Sequence, residues 1–339
     1  MLDKTLKISL ICLAIFILAV LIIRLINSNF IFRIDRFNDI GNEPSKKIAF
    51  LFLVRNNLRR SDIWKKYLEG HESQYNIYCH AKEPVNVTDT LLKDNKIPEH
   101  IETCWGCSNL VEANLLMMRE ALKDPSNYKF ILVSESCVPI TSFQTMYNAL
   151  IATDNSRIGI HNDNNSVDER YGTIKNPPFK KEEFVKHCGS GQVMNRHHAK
   201  LLVDSLDVLR SDWSNTIIPD EHYIGNTLLH LDGNFATKEI KNNENKKTTF
   251  DIWQICDLNT SDNNIDTVND SNGLDDIKNI STIENKKKNS YINEFITDDY
   301  INMKKITNMG IDGMREWAFF FVRKVSENTE IDVDYLISK

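Results

Sequence analysis

Hydrophobic and polar positions alternate along the chain in blocks that predict a regular succession of elements. IAFLFLV (48–54) is an uninterrupted apolar run of the kind a fully buried strand shows. YNIYCHA (75–81) and YKFILVSE (128–135) read as two further strands. Between them, 61–70 reads as a helix with Ser61 or Asp62 at its N-cap, and VEANLLMMREAL (111–122) spaces its apolar residues at a helical period. Strand, helix, strand, helix, strand within ~90 residues is the mark of an α/β protein with a parallel sheet. Ligands of such sheets collect at the carboxyl ends of the strands. FQTMYNALIA (143–152), HHAKLLVDSLDVL (197–209) and EHYIGNTLLHL (221–231) predict helices, as does a segment near 291–306, and WAFFFVRKV (317–325) predicts a last strand. No internal repeat is present.

Two stretches break this pattern. Ile8 to Ile26 reads ISLICLAIFILAVLIIRLI, with only Ser9 and Arg24 interrupting it. Nineteen helical residues rise ~28 Å, about a bilayer's hydrocarbon thickness, and the stretch has no polar face. A cleaved signal peptide would have a shorter apolar region and an A-x-A-like site after it; none is seen, which favours a retained transmembrane anchor. A seven-residue tail (1–7) precedes it, and residues 27–45 read as a polar stem. Lys4 and Lys7 on one side and Arg24, Arg33 and Arg36 on the other leave the orientation undecided by charge. From about 241 to 289 the chain turns to Asn, Asp, Lys and Ser, a low-complexity insertion containing one apolar island, TFDIWQIC (249–256).

Composition then narrows the options. In 339 residues, 41 basic side chains face 47 acidic ones, for a formal net charge of −6. That argues against a nucleic-acid binder, which shows a basic face. Length leaves room for a full-sized domain from 46 to 339. Of seven cysteines, Cys12 lies in the apolar span, and Cys79, Cys104, Cys107, Cys137, Cys188 and Cys256 remain. An even number permits disulfides in an oxidising lumen. N-x-S/T sequons begin at Asn86, Asn164, Asn259, Asn269 and Asn279.

Few motifs carry chemistry by themselves. Cys104-Trp-Gly-Cys107 has C-x-x-C spacing, but no second pair completes a zinc site, and a structural disulfide or buried thiols are preferred over a redox centre. His197 and His198 are adjacent on a predicted helix, so they point apart and read as a solvated face. No P-loop, dinucleotide fingerprint or nucleophile elbow occurs. Ile218-Pro-Asp-Glu-His-Tyr223 can be a plain helix start with Asp220 as N-cap; equally, Glu221 can be a carboxylate placed to accept a proton from a substrate hydroxyl. Ser134-Glu135-Ser136 ends a buried strand, where α/β enzymes keep site residues.

Taken in order, KIAFLFLVRNN, IWKKYLEGHESQYNIYCHA, Trp105-Gly106, FILVSESCVPI, GSGQVMNRHHAKLL (189–202), PDEHYIGNTL (219–228) and FFFVRKV (319–325) resemble the Core-2/I-branching glycosyltransferases (glycosyltransferase family 14), particularly their plant-type relatives. The family's H-P-x-T-F segment is absent, and the Asn-rich insertion falls in its place. The resemblance implies a glycosyltransferase-A-type, Rossmann-like fold and inverting transfer of a sugar, typically GlcNAc, from a UDP-sugar to a glycan or glycoprotein hydroxyl. It implies no metal cofactor and a type II anchor in the Golgi membrane. Carried onto this sequence, it makes Glu221 the catalytic base. Lys324, with Arg323 beside it, would neutralise the leaving diphosphate, joined by Lys304 or Lys305. Val54 and Arg55 would border the nucleotide, and Trp105, Glu135 and Ser190 would shape the donor or acceptor pocket. Asp332-Val-Asp334 has the letters of a metal motif but lies in the tail and reads as surface. The rival readings are a catalytically inactive, glycan-binding or scaffold relative, and a thiol oxidoreductase using Cys104 and Cys107.

Overall fold

The computed structural model describes residues 46–161, 167–187, 189, 191–232, 249–251, 305–306, 311–312, 315 and 319–338. The anchor (8–26), the stem (27–45), most of the Asn-rich insertion, the helix expected before 305, and Cys188 and Cys256 lie outside the described residues. Among the described residues no helix is long and apolar enough to cross a membrane.

The apolar run after Lys46 becomes β1 (Lys47–Val54), which pairs in parallel with β2 (Tyr75–Ala81) on one side and β3 (Asn127–Ser134) on the other. β3 in turn pairs antiparallel with β7 (Val193–Asn195), giving the sheet order β2-β1-β3-β7. β1 is buried on both faces, and its side chains sort with period two. Ile48, Phe50 and Phe52 join one core with Ile131 and Val133, while Ala49 and Leu51 join another with Phe130 and Leu132. Register sets Val54 opposite Ala81 and Leu53 opposite Ser134, so the three parallel strands end side by side. The α/β sheet expected from the strand–helix alternation is therefore present, with an antiparallel edge strand that the sequence did not announce.

Helices cover both faces. α3 (Ser108–Ala121) packs Leu115, Leu116, Met117 and Met118 into one core, together with α6 (Arg196–Asp204) and α7 (Leu206–Asp212). α1 (Ser61–Leu68) and α4 (Phe143–Ile151) cover the other. α1 starts at the expected residue, but the cap position falls on Arg60, and Gly70 (φ +79°) turns the chain away after it. α4 is capped by Ser142, whose Oγ accepts the Thr145 amide at 3.2 Å. The single helix expected over 197–209 is two helices. Ser205 ends the first, and its Oγ bonds the Leu202 carbonyl and the Tyr223 hydroxyl, at 2.7 and 2.8 Å.

A small second sheet, β4-β10-β8, is built from β4 (Val138–Pro139), β8 (Thr249–Asp251) and β10 (Phe321–Arg323). β8 is the first part of the apolar island inside the insertion. Trp64 ties α1 to both sheets: it is fully buried, meets Phe52 edge-on at 5.0 Å, stacks on Phe321 at 5.9 Å, and its Nε1 donates to the Cys137 carbonyl at 2.8 Å. At the end of the chain β11 (Glu330–Ile331) pairs with β9 (Lys305–Ile306), and α9 (Val333–Ile337) is capped by Asp332, whose carboxylate accepts the Tyr335 amide. Asp332 and Asp334 are exposed, as their tail position suggests.

Candidate active site

A cleft of about 500 Å³ opens where β1 and β3 end. It is lined by Val54 and Arg55 at the end of β1, by Ser134, Glu135 and Ser136 after β3, and by Arg323 and Lys324 at the end of β10. Trp105 and Cys104 enter from the loop before α3, and Asp220 from the turn before α8 (Tyr223–Leu231). Six of the residues that the resemblance assigns to the site (Val54, Arg55, Trp105, Glu135, Arg323 and Lys324), separated by up to 270 positions, thus share one cavity. Glu221 follows Asp220 directly. Ser190 and Lys304 lie outside the described residues. Lys305 opens β9 and is not among the residues lining the cleft.

Not every member does what its position suggested. The Arg55 guanidinium turns to Glu83, with Nε 2.7 Å from Oε1, and that carboxylate raises its pKa. Glu135 is spent on the frame: its Oε2 accepts the Arg55 backbone amide at 2.6 Å, and its Oε1 lies 3.6 Å from Arg59. It therefore braces the end of β3 against the end of β1. Two cations that no sequence pattern singled out, Arg59 and Lys82, also line the cleft.

Glu221 closes a 3₁₀ turn, Pro219–Glu221, that follows Ile218 in a left-handed conformation (φ 48°). α8 begins only at Tyr223, with His222 in the cap position, so Asp220 is not the helix cap that the plain reading made it. The Glu221 carboxylate is held from one side. Its Oε2 accepts from Arg170 Nη1 at 2.7 Å, and Lys186 Nζ stands 3.6 Å away. Arg170 comes from α5 (Val167–Tyr171) and Lys186 from β6 (Lys186–His187), which pairs antiparallel with β5 (Ile160–His161). Among the described residues Oε1 makes no hydrogen bond, so one carboxylate oxygen is anchored and the other is left to act.

His222 fixes Arg170 in turn. Burial pushes its pKa down to about 3, so the ring is neutral. With Nδ1 donating to the Val185 carbonyl at 2.9 Å, Nε2 is the acceptor for Arg170 Nη1 at 3.0 Å. The ring also stacks on Phe184 at 4.6 Å. Asp220 has a different environment from its neighbour. Its Oδ1 is withdrawn from solvent without a hydrogen-bond partner among the described residues, and burial, then the Glu221 charge, raise its pKa to about 6. Arg323 and Arg170 pull the other way. Gly189 packs against this carboxylate: a Cβ there would meet Asp220 Oδ2 at 3.0 Å, so a side chain would have to displace that carboxylate by a few tenths of an ångström.

The other motifs resolve plainly. Cys104 and Cys107 form a disulfide; Cys79 and Cys137 are buried. His197 is exposed, as expected for a solvated face. His198 is not: it is buried, with Nδ1 2.6 Å from Ser156 Oγ and Nε2 3.2 Å from Asp232, because α6 turns that position toward β7. Among the described residues no cluster of three or more His, Cys, Asp or Glu could hold a metal ion.

Comparison with known proteins places the chain in a family. The Core-2/I-branching enzyme family model matches residues 48–314, most of the chain. The chain belongs to the Core-2/I-branching enzyme family. It is similar to Glycosyltransferase BC10 of Oryza sativa subsp. japonica, 27% identical over 218 residues, which are 55% of this chain and 54% of that protein. The chain spans about half the length of this curated relative. The family match covers β1 through the turn that carries Glu221, and it ends before β10.

Proposed function

We propose that the protein is a membrane-anchored, inverting, metal-independent glycosyltransferase of glycosyltransferase-A-type fold. It would move a sugar, GlcNAc by family analogy, from a UDP-sugar to a glycan or glycoprotein hydroxyl. The observation that carries this reading is the meeting of Glu221's turn with Arg323 and Lys324 at one cleft over the ends of β1 and β3. A sugar hydroxyl becomes a competent nucleophile as a positioned base takes its proton. Glu221 has the free oxygen for that step, with Arg170 and Lys186 fixing the other. As the bond to the sugar breaks, negative charge develops on the departing diphosphate, and preformed cations stabilise it in the transition state. Lys324 and Arg323 stand where that charge would form, and Lys82 and Arg59 extend the positive lining toward the β2 side. The carboxylate that ends β3, Glu135, is taken up by Arg55 and Arg59, which fits a site that relies on side-chain cations. Trp105, 85% exposed at the rim, offers a flat apolar face of the kind sugar rings pack against.

The anchor reading rests on residues 8–26, and placement of the cleft in the Golgi lumen follows from the family. The Cys104–Cys107 disulfide supports an oxidising compartment. The test is UDP release by the full chain in detergent, with UDP-GlcNAc, UDP-glucose and UDP-xylose, a mixed glycan acceptor panel, and EDTA throughout. Turnover is expected to persist in EDTA, and Lys324→Ala is expected to lower it by roughly 10²-fold, the scale of losing one charge-stabilising group. Turnover abolished by EDTA and restored by Mn²⁺ would overturn the metal-free reading.

A further inference from the structure

The Cys104–Cys107 bridge stands at the rim of the cleft, and its loop touches the segment that carries the base. The Gly106 carbonyl accepts the Ile218 amide at 3.1 Å, and Ile218 in turn gives its carbonyl to the Glu221 amide at 3.2 Å. Ile218 is a β-branched residue held at φ 48°, a backbone state that persists only where surrounding contacts impose it. The bond to Gly106 is one such contact. Gly106 itself sits at φ +72°. On its other side the loop is fixed to a rigid body, since Cys107 directly precedes the first residue of α3, a helix buried along most of its length. Asn109, in the first turn of that helix, accepts the Cys104 amide at 3.1 Å.

We propose that the Cys104–Cys107 disulfide is a positioning element of the transfer reaction: it holds the Trp105–Gly106 turn against α3 so that Gly106 seats Ile218 and thereby the Asp220–Glu221 turn. The inference rests on the transferase reading of the cleft. A bridge between residues three apart removes little entropy from the unfolded chain, because closure entropy grows with loop length. Its effect is therefore local rather than on global stability. Cys104 is exposed and Cys107 partly so, whereas Cys79 and Cys137 are buried, so a small dithiol reaches this bridge readily. Reduction breaks the Sγ–Sγ bond, with two electrons and two protons passing from the dithiol, which leaves as its own disulfide.

The experiment compares the full chain in detergent, oxidised and after dithiothreitol, with the variant C104S/C107S. Two quantities are read: hydrogen exchange at the Ile218 amide, and kcat and KM for UDP release. Reduction is expected to speed exchange at Ile218 and to lower kcat by roughly ten- to a hundredfold, the scale of a small misplacement at a reacting centre. Both should return on reoxidation. C104S/C107S should match the reduced chain and ignore dithiothreitol. Unchanged exchange and kcat on reduction would overturn the proposal, as would a dithiothreitol effect that survives in C104S/C107S. Absence of turnover in both redox states would count against the transferase reading instead, and exchange at Ile218 then decides the docking by itself.

Discussion

Asp220 and Glu221 are neighbours in one turn, yet their surroundings give them different work. Glu221 is clasped by Arg170 and Lys186, and Arg170 is clasped by a neutral His222. Arg170→Gln removes the short bond to Glu221 and leaves His222 Nε2 without its donor. A kcat loss of roughly 10²-fold is expected from the mispositioned base, and about 1–3 kcal/mol of stability from the orphaned acceptor. Steady-state kinetics and a urea titration separate the two effects. Asp220 gives a pH signature. Its pKa is raised above the ordinary carboxyl value to about 6, so between pH 4 and 6 the native state binds more protons than the unfolded chain. Stability contributed by this group is therefore fully present below its unfolded pKa and lost as pH rises through 6; the loss at pH 7 is at most about 3 kcal/mol. Asp220→Asn should flatten the fall in Tm over that window relative to the native chain. An unchanged Tm–pH difference between the two would show that Asp220 is solvated.

The proposed base and the cations come from different elements, and their alignment depends on how those elements pack. Trp64 joins α1 and β1 to β10, the strand that ends in Arg323 and Lys324. Trp64→Ala empties a fully buried site and leaves the Cys137 carbonyl without its donor, for a loss of about 3–5 kcal/mol. UDP affinity should fall with it, while Trp64→Phe, which keeps most of the volume, should retain most of both; differential scanning calorimetry and UDP titration check this. The long elements were legible in the sequence because their burial is written as pattern: β1 and β3 as apolar runs, α3 and α4 as helical stripes. What was not legible is short. β7 has three residues and β6 two, too few for any period to show. Ser205 splits a helix whose apolar spacing continues across the break, because its side chain is drawn to Leu202 and Tyr223. Arg170 and Lys186 sit on just such short elements, 51 and 35 positions before Glu221, and nothing local marks them as its partners. Arg323, Lys324 and the turn that ends in Glu221 were reachable through the family resemblance, since only the folded chain brings them to one cleft.

Across the whole molecule an acidic chain, net −6, gathers Arg55, Arg59, Lys82, Arg323 and Lys324 around a single opening. That local reversal of sign is what a nucleotide diphosphate would meet, and Glu221 Oε1, which makes no hydrogen bond among the described residues, is what an acceptor hydroxyl would meet. The central claim is that Glu221 takes the acceptor's proton. Its most direct test is Glu221→Gln in the full chain, assayed by UDP release with the donor that supports turnover, alongside UDP binding by calorimetry. Turnover should fall by 10² or more while UDP affinity stays within about twofold, because a general base contributes on that scale and does not hold the nucleotide. A variant that turns over within a few-fold of the native chain, with UDP bound equally well, would contradict it.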